Sequence, residues 1–133
     1  MAKARKARQI SFTMPDRAGL LSKITTVISD AKVNITAICA YGMEKAAYFM
    51  MTTNSNAKAK KVLSKLGVKS KEEDVVAVEM PHRVGELQEA ANRIADARIN
   101  IIYMYGTASA GKASICIFKT SNDKKTISVI NKK

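Results

Sequence analysis

The sequence predicts an α+β fold in which one strand–helix–strand–strand–helix–strand unit occurs twice in tandem, the second time without its last strand. Three observations carry this. The chain matches itself at a fixed spacing, the hydrophobic period switches between two and about 3.6 residues in the same order in each copy, and Asn-, Ser- and Gly-containing segments punctuate both copies at corresponding places. Met14-Pro15-Asp16-Arg17-Ala18-Gly19-Leu20-Leu21 matches Met80-Pro81-His82-Arg83-Val84-Gly85-Glu86-Leu87, 66 residues further on, and the spacing then holds without a gap. It pairs Ile28 with Ile94, Asp30-Ala31 with Asp96-Ala97, Asn34-Ile35 with Asn100-Ile101 and Asn56 with Asn122.

The elements follow in order. Ile10, Phe12 and Met14 alternate with polar residues, as do Val76, Val78 and Met80, which is the pattern of a half-buried strand. Leu20, Leu21, Ile24, Val27, Ile28 and Ala31 recur at helical spacing, and Leu87, Ala90, Ala91, Ile94 and Ala95 repeat them. Asn34 to Tyr41 and Ala46 to Thr53 read as a hairpin turning at Gly42 to Lys45; Asn100 to Gly106 and Lys112 to Thr120 repeat it around Ala108 to Gly111. Asn54, Ser55 and Asn56 can cap a helix carrying Val62, Leu63 and Leu66 that stops at Gly67, and Ser121 and Asn122 open its counterpart with Ile127, Val129 and Ile130. A last strand, Val68 to about Asp74, closes the first copy; Lys133 aligns with Gly67, so the second copy has no such segment. The order is βαββαβ, the ferredoxin-like arrangement. The predicted layout is a basic tail at 1–7, a first domain at 8–74 and a second at 75–133. The open edge of the second sheet is expected to be covered by another segment or subunit.

Composition narrows the function. The chain has 133 residues, 47% hydrophobic and 26% charged, which is globular. It lacks an apolar run long enough to span a bilayer, and the basic start is not followed by a continuous apolar stretch, so a cytoplasmic protein is expected with no membrane partner. Cys39 and Cys116 are isolated and are expected to be buried thiols. With His82 the only histidine, zinc sites, Ser/His/Asp triads and Cys/His dyads would all rest on one imidazole. No enzyme, metal or cofactor is expected; Asp16 with His82 is the one acid–base pair worth testing. Strands such as Tyr48 to Met51 and Ile115 to Phe118 are apolar at both parities, so both sheet faces need cover, from the other repeat or from a second chain, and a homodimer or larger assembly is expected.

The turn Met14-Pro15-Asp16-Arg17-Ala18-Gly19-Leu20-Leu21, followed after twelve residues by Asn34-Ile35, resembles the ACT domain, a small regulatory module that binds amino acids. Both copies match, so the resemblance covers nearly the whole chain and is closest to stand-alone proteins made of two ACT domains. Ala18 and Val84 stand where the family usually has proline, and Lys32 and Arg98 where it usually has glycine. The resemblance implies ligand contact at Asp16, Gly19 and Asn34, at a domain interface.

Physical chemistry points to the same turn. Gly19 and Gly85 open a helix directly after a strand, so a ligand can approach the backbone, and the unpaired first amides suit an α-carboxylate. Asp16 and Asn34 could accept from an α-ammonium, Asn34 on the expectation that the chain returns to the same end as the turn. The candidate site is therefore Asp16, Gly19, Leu20, Asn34 and Ile35, with His82, Gly85, Asn100 and Ile101 in the second copy. His82 differs from Asp16 in chemistry, so the second site is expected to take a different ligand or stay empty.

The leading expectation is a non-enzymatic module regulated by an amino-acid effector. The alternative is a nucleic-acid-binding protein, raised by the formal charge of +12 and by the strand order. The positive charge concentrates in the first residues, in Lys58 to Lys71 and in Lys119 to Lys133, stretches that otherwise read as a solvated tail and outer helices. Aromatic content of 5% fits base stacking on a sheet poorly, because adjacent Tyr48 and Phe49 must face opposite ways.

Overall fold

The computed structural model describes residues 2–108 and 113–133. Beyond Ala108, the turn expected around Ala108 to Gly111 lies outside the described residues. Ten elements follow in chain order: β1 (Lys3–Pro15), α1 (Leu20–Asp30), β2 (Ile35–Met43), β3 (Ala46–Thr53), α2 (Asn56–Lys65), β4 (Lys71–Pro81), α3 (Glu86–Asp96), β5 (Ile101–Ala108), β6 (Ala113–Thr120) and α4 (Asp123–Asn131). They form two compact units, Gln9–Glu73 and Met1–Arg8 with Asp74–Lys133.

In the Gln9–Glu73 unit the strand order is β2-β3-β1-β4, the ferredoxin-like order. β1 and β2 both run antiparallel to β3, with Phe12 opposite Phe49 and Ile38 opposite Met51. The alternation Ile10, Phe12 puts every second side chain under the helices, where it joins Phe49, Met51, Leu20, Ile24, Ile28, Ala59 and Leu63 in one buried cluster. The Phe12 and Phe49 rings stack there at 4.9 Å. α1 ends with Lys32 N–H donating to Ser29 O (2.9 Å) and Val33 N–H to Ile28 O (3.2 Å), the paired bonds of a Schellman end. Lys32 adopts φ 62°, so a lysine occupies the left-handed position that favours glycine.

The other unit repeats this plan with the order β1-β4-β6-β5. Val76, Val78 and Met80 meet Phe118, Ala90, Ile94 and Ile130 in the second buried cluster, and Arg98 repeats the left-handed helix end at φ 57°. In both units a register shift marks the start of the second strand, between Ile35 and Ala37 and between Ile101 and Tyr103.

Three expectations are corrected. Residues 3–7 are not a tail: β1 begins at Lys3, and Ala4 belongs to the second buried cluster with Val76 and Ile130. That segment fills the strand position the second copy lacks. Asn131 Oδ1 accepts from Ala4 N–H at 2.7 Å and Asn131 Nδ2 donates to Ala4 O at 2.9 Å, which ties the segment to α4. Arg8 pairs with Asp74 at 2.8 Å. The physical reason is the edge itself, whose open amides and carbonyls are satisfied by the nearest extended segment. Second, Val68 is not in a strand: its N–H closes the α2 end on Leu63 O at 3.1 Å, and β4 starts at Lys71. Third, the expected strands at Val68 to Asp74 and Val76 to Met80 are one continuous strand, β4.

The sheet faces opposite the helices differ between the units. Val75, Ala77 and Ile117 are buried although they alternate with cluster residues, whereas Tyr41 and Met43 remain exposed. Tyr41 and Tyr48, opposite each other on β2 and β3, stack at 5.1 Å.

Candidate functional site

The two strand–helix turns share one backbone design. Gly19 and Gly85 immediately precede α1 and α3 with left-handed φ of 83° and 89°. A side chain there would cost about 1–2 kcal/mol in backbone strain. A Cβ at either glycine would meet no atom within 4 Å, so the space over each helix start is open. Neither helix has a side-chain cap, so no capping side chain takes up the first amide hydrogens at the positive end of the helix dipole.

Their furnishing is different. α3 carries Glu86 and Glu89 in its first turn, and Glu86 Oε1 takes a 2.6 Å ion pair from Arg83 Nη2. Glu86 N–H also closes on Arg83 O at 3.3 Å. The second turn therefore neutralises its own helix end with carboxylates. α1 has no acidic residue in its first turn, and no equivalent backbone bond closes its start among the described residues. An anion brought to the chain meets no acidic side chain in the first turn of α1, whereas in that of α3 it meets Glu86, paired with Arg83, and Glu89, 3.4 Å from Arg93. The spacing of Arg83 and Glu86, three residues apart, was readable in the sequence as a helix-start pair.

Asp16 is exposed, and its backbone N–H donates to Lys45 O at 2.9 Å, which fixes it beside the β2–β3 hairpin. Its carboxylate lies over Gly42: a Cβ built there would stand 2.7 Å from Asp16 Oδ2. Gly42 thus makes room for the acceptor, a role the sequence did not reveal. At the same end, Met14, Pro15, Met43, Lys45 and Tyr48 line an open hollow of about 410 Å³. In the second copy His82 is exposed, with Nδ1 and Ser114 Oγ 3.1 Å apart, and no carboxylate stands where Asp16 does.

Asn34 is not where it was expected. Pro15 and Met43 both lie opposite Ala46, whereas Ile35 lies opposite Thr53, at the other end of β3. Seven residues of strand separate these points, about 23 Å. The reason is the helix: α1 runs back along the sheet, so β2 starts at the end where β1 began and runs parallel to it. Gly19 and Asn34 are consequently at opposite ends of their unit, and one small ligand cannot touch both within it. The second unit is the same, with Pro81 opposite Ala113 and Ile101 opposite Thr120.

At that far end Asn34 N–H donates to Asn54 Oδ1 (2.9 Å) and Asn54 N–H to Asn34 O (3.0 Å). Asn100 repeats the latch with Ser121 Oγ (3.0 Å) and Ser121 N–H (2.9 Å). The carboxamides of Asn34 and Asn100 make no hydrogen bond among the described residues. Leu20 is buried, and Ile35 and Ile101 pack against the two clusters, so these three contribute core, with only the Leu20 amide at the helix start. Among the described residues no group of three His, Cys, Asp or Glu side chains is placed to hold a metal ion, and no helix is long and apolar enough to cross a membrane. Cys116 is buried, which pushes its thiol pKa up.

Comparison with known proteins places this architecture. The family model described as an ACT domain pair matches residues 6–133. Among solved structures, protein BT0572 from Bacteroides thetaiotaomicron aligns with a TM-score of 0.85 at 25% identity, covering 95% of this chain and 87% of that one. The regulatory subunit of aspartate kinase from Thermus thermophilus, in its ligand-free form, aligns at 0.72 and 11% identity, covering 97% and 93%. E. coli aspartokinase III in complex with lysine and aspartate aligns at 0.57 and 11% identity, covering 97% of this chain and 31% of that one. No curated protein gives a match at the sequence level.

Proposed function

The chain belongs to the ACT domain pair family, and from that premise we propose that it is a non-catalytic regulatory module whose effector is an amino acid received at the turn before α1. The observation that carries this reading is the difference between the two turns: α1 offers bare amides with no acid in its first turn and Asp16 beside them, whereas α3 is neutralised by Glu86 and Glu89. The α-carboxylate sits on the Leu20 end of α1, held by backbone N–H groups and the helix dipole. The α-ammonium pairs with Asp16, and the apolar part of the effector lies toward Met14, Met43 and Tyr48. The turn around His82 and Gly85 is read as empty of amino acid, with Asn100 at the far end of its unit.

Because Asn34 lies about 23 Å from that turn along its own sheet, its carboxamide completes the site only if a second copy of the chain supplies it. The reading therefore includes a homodimer in which the Asn34 end of one copy faces the Asp16 end of the other. An effector held by two copies favours the packing that brings both ends together and shifts that equilibrium by its differential affinity alone.

Thermal unfolding in the presence of each common amino acid tests this. At one hundred times its dissociation constant the effector is expected to stabilise the protein by about 2.7 kcal/mol. Asp16→Asn should abolish that shift, and Asn34→Ala should weaken both the shift and the dimer in sedimentation. No shift with any amino acid removes the reading.

A further inference from the structure

The positive charge of this chain is not spread evenly over its helices. α1 carries Lys23 with Asp30, α3 carries Arg93 with Glu86, Glu89 and Asp96, and α4 carries Lys124 and Lys125 with Asp123. α2, Asn-Ala-Lys-Ala-Lys-Lys-Val-Leu-Ser-Lys, has four lysines and no acid. Its inner side, Ala59 and Leu63, is consumed by the core, and Lys60 is tied to Glu72 at 3.6 Å. Lys58, Lys61 and Lys65 are all exposed, and among the described residues none of the three forms an ion pair. Their spacing of three and then four residues puts them on one stripe rising about 10 Å along the helix.

Such a stripe costs stability unless something neutralises it. Like charges three and four apart repel, and Lys58 stands in the first turn, at the positive end of the dipole. We propose that the solvent face of α2 docks on the phosphate backbone of a nucleic acid through Lys58, Lys61 and Lys65. Three cations strung along an axis do not converge on a single phosphate; they match a line of charges, which a polynucleotide presents about every 3.4 Å per strand. A membrane surface would need large apolar side chains on the same face, and the exposed neighbours here are Ala57 and Ser64. A protein partner would need a protruding aromatic or aliphatic anchor, whereas Val62 and Leu66, which border the hollow beside Lys65, are half-buried and packed against the core. Backbone docking of this kind reads no bases, so the contact is sequence-independent and sensitive to salt. It is separate from the amino-acid site and stands or falls without it.

The test is fluorescence anisotropy of a labelled mixed-sequence DNA duplex with the full chain at low salt. The K58Q/K61Q/K65Q variant should bind at least about tenfold more weakly and lose about 3 from the slope of log affinity against log salt. The variant K23Q/K32N/K133Q, which removes the same charge elsewhere, should bind within about twofold of the parent. Duplex should also raise the melting temperature of the parent and not that of the first variant. Absence of binding, equal loss in both variants, or equally tight binding to phosphatidylserine vesicles would each overturn the proposal.

Discussion

The two units solve the same structural problem with different material. In the Gln9–Glu73 unit, α2 ends at Gly67, whose φ of 78° lets Gly67 N–H reach Ser64 O (2.9 Å) and Val68 N–H reach Leu63 O (3.1 Å). The chain then runs straight on into β4. In the other unit the carbonyls at the end of α4 are taken by a side chain: Arg93 Nη1, from α3, donates to Val129 O (3.1 Å), Ile130 O (3.3 Å) and Lys132 O. Arg93 corresponds to Val27, which instead borders an apolar hollow of about 300 Å³ with Val62 and Leu66. The fourth strand position is filled by Lys3–Arg8, from the opposite end of the sequence, with Asn131 bonding to Ala4, 127 positions away. A repeat thus fixes where backbone groups must be satisfied, and leaves open whether the next residue, a side chain or a distant segment satisfies them.

The largest expected effect breaks this asymmetry. Removing residues 2–8 strips the Ala4 and Asn131 bonds and uncovers β4, while the cluster of Phe12, Phe49 and Leu63 is untouched. Hydrogen exchange should accelerate at Val76 to Met80 and in β6, and stay slow in β3; equal acceleration in both would show that the segment is not specific to its unit. Next, Arg93→Ala should lower stability by about 2 kcal/mol in denaturant unfolding, since it leaves several carbonyls without their charged donor. Val27→Ala, its counterpart, should cost about 1 kcal/mol, because it removes only half-buried methyls.

A smaller effect sharpens what the units share. Lys32→Gly and Arg98→Gly relieve left-handed strain of about 1–2 kcal/mol, offset by about 0.4–1 kcal/mol of extra unfolded-state entropy. Each should raise stability by about 0.5 kcal/mol, and by similar amounts in the two units. Smallest is a difference between the thiols: half-buried Cys39 should react with iodoacetamide before buried Cys116, whose raised pKa keeps it protonated. Because that pKa is raised on folding, the stabilisation it reports is present at neutral pH. It declines as pH rises through the ordinary thiol range toward the folded value, where the unfolded thiol ionises first.

Sequence periodicity revealed every helix and all the hairpin strands, because each is local and its apolar residues repeat at the period of the element. What escaped it was non-local. Ala4 alternates with Lys3 and Arg5, a charged pattern that reads as a tail until β4 offers an edge. The separation of Gly19 from Asn34 is not legible in chain order, because an eleven-residue helix carries the chain to the far end of the sheet. Gly42 looked like a hairpin glycine, and only the placement of the Asp16 carboxylate gives it a second role. Both turns, by contrast, were legible down to the glycine, since a left-handed residue between strand and helix leaves so few choices.

Calorimetric titration of the full chain with the amino acid that most raises its melting temperature tests the central claim directly. Saturable heat should disappear in Asp16→Asn and survive in His82→Ala. Heat that survives in Asp16→Asn and disappears in His82→Ala would place the effector at the other turn and contradict it.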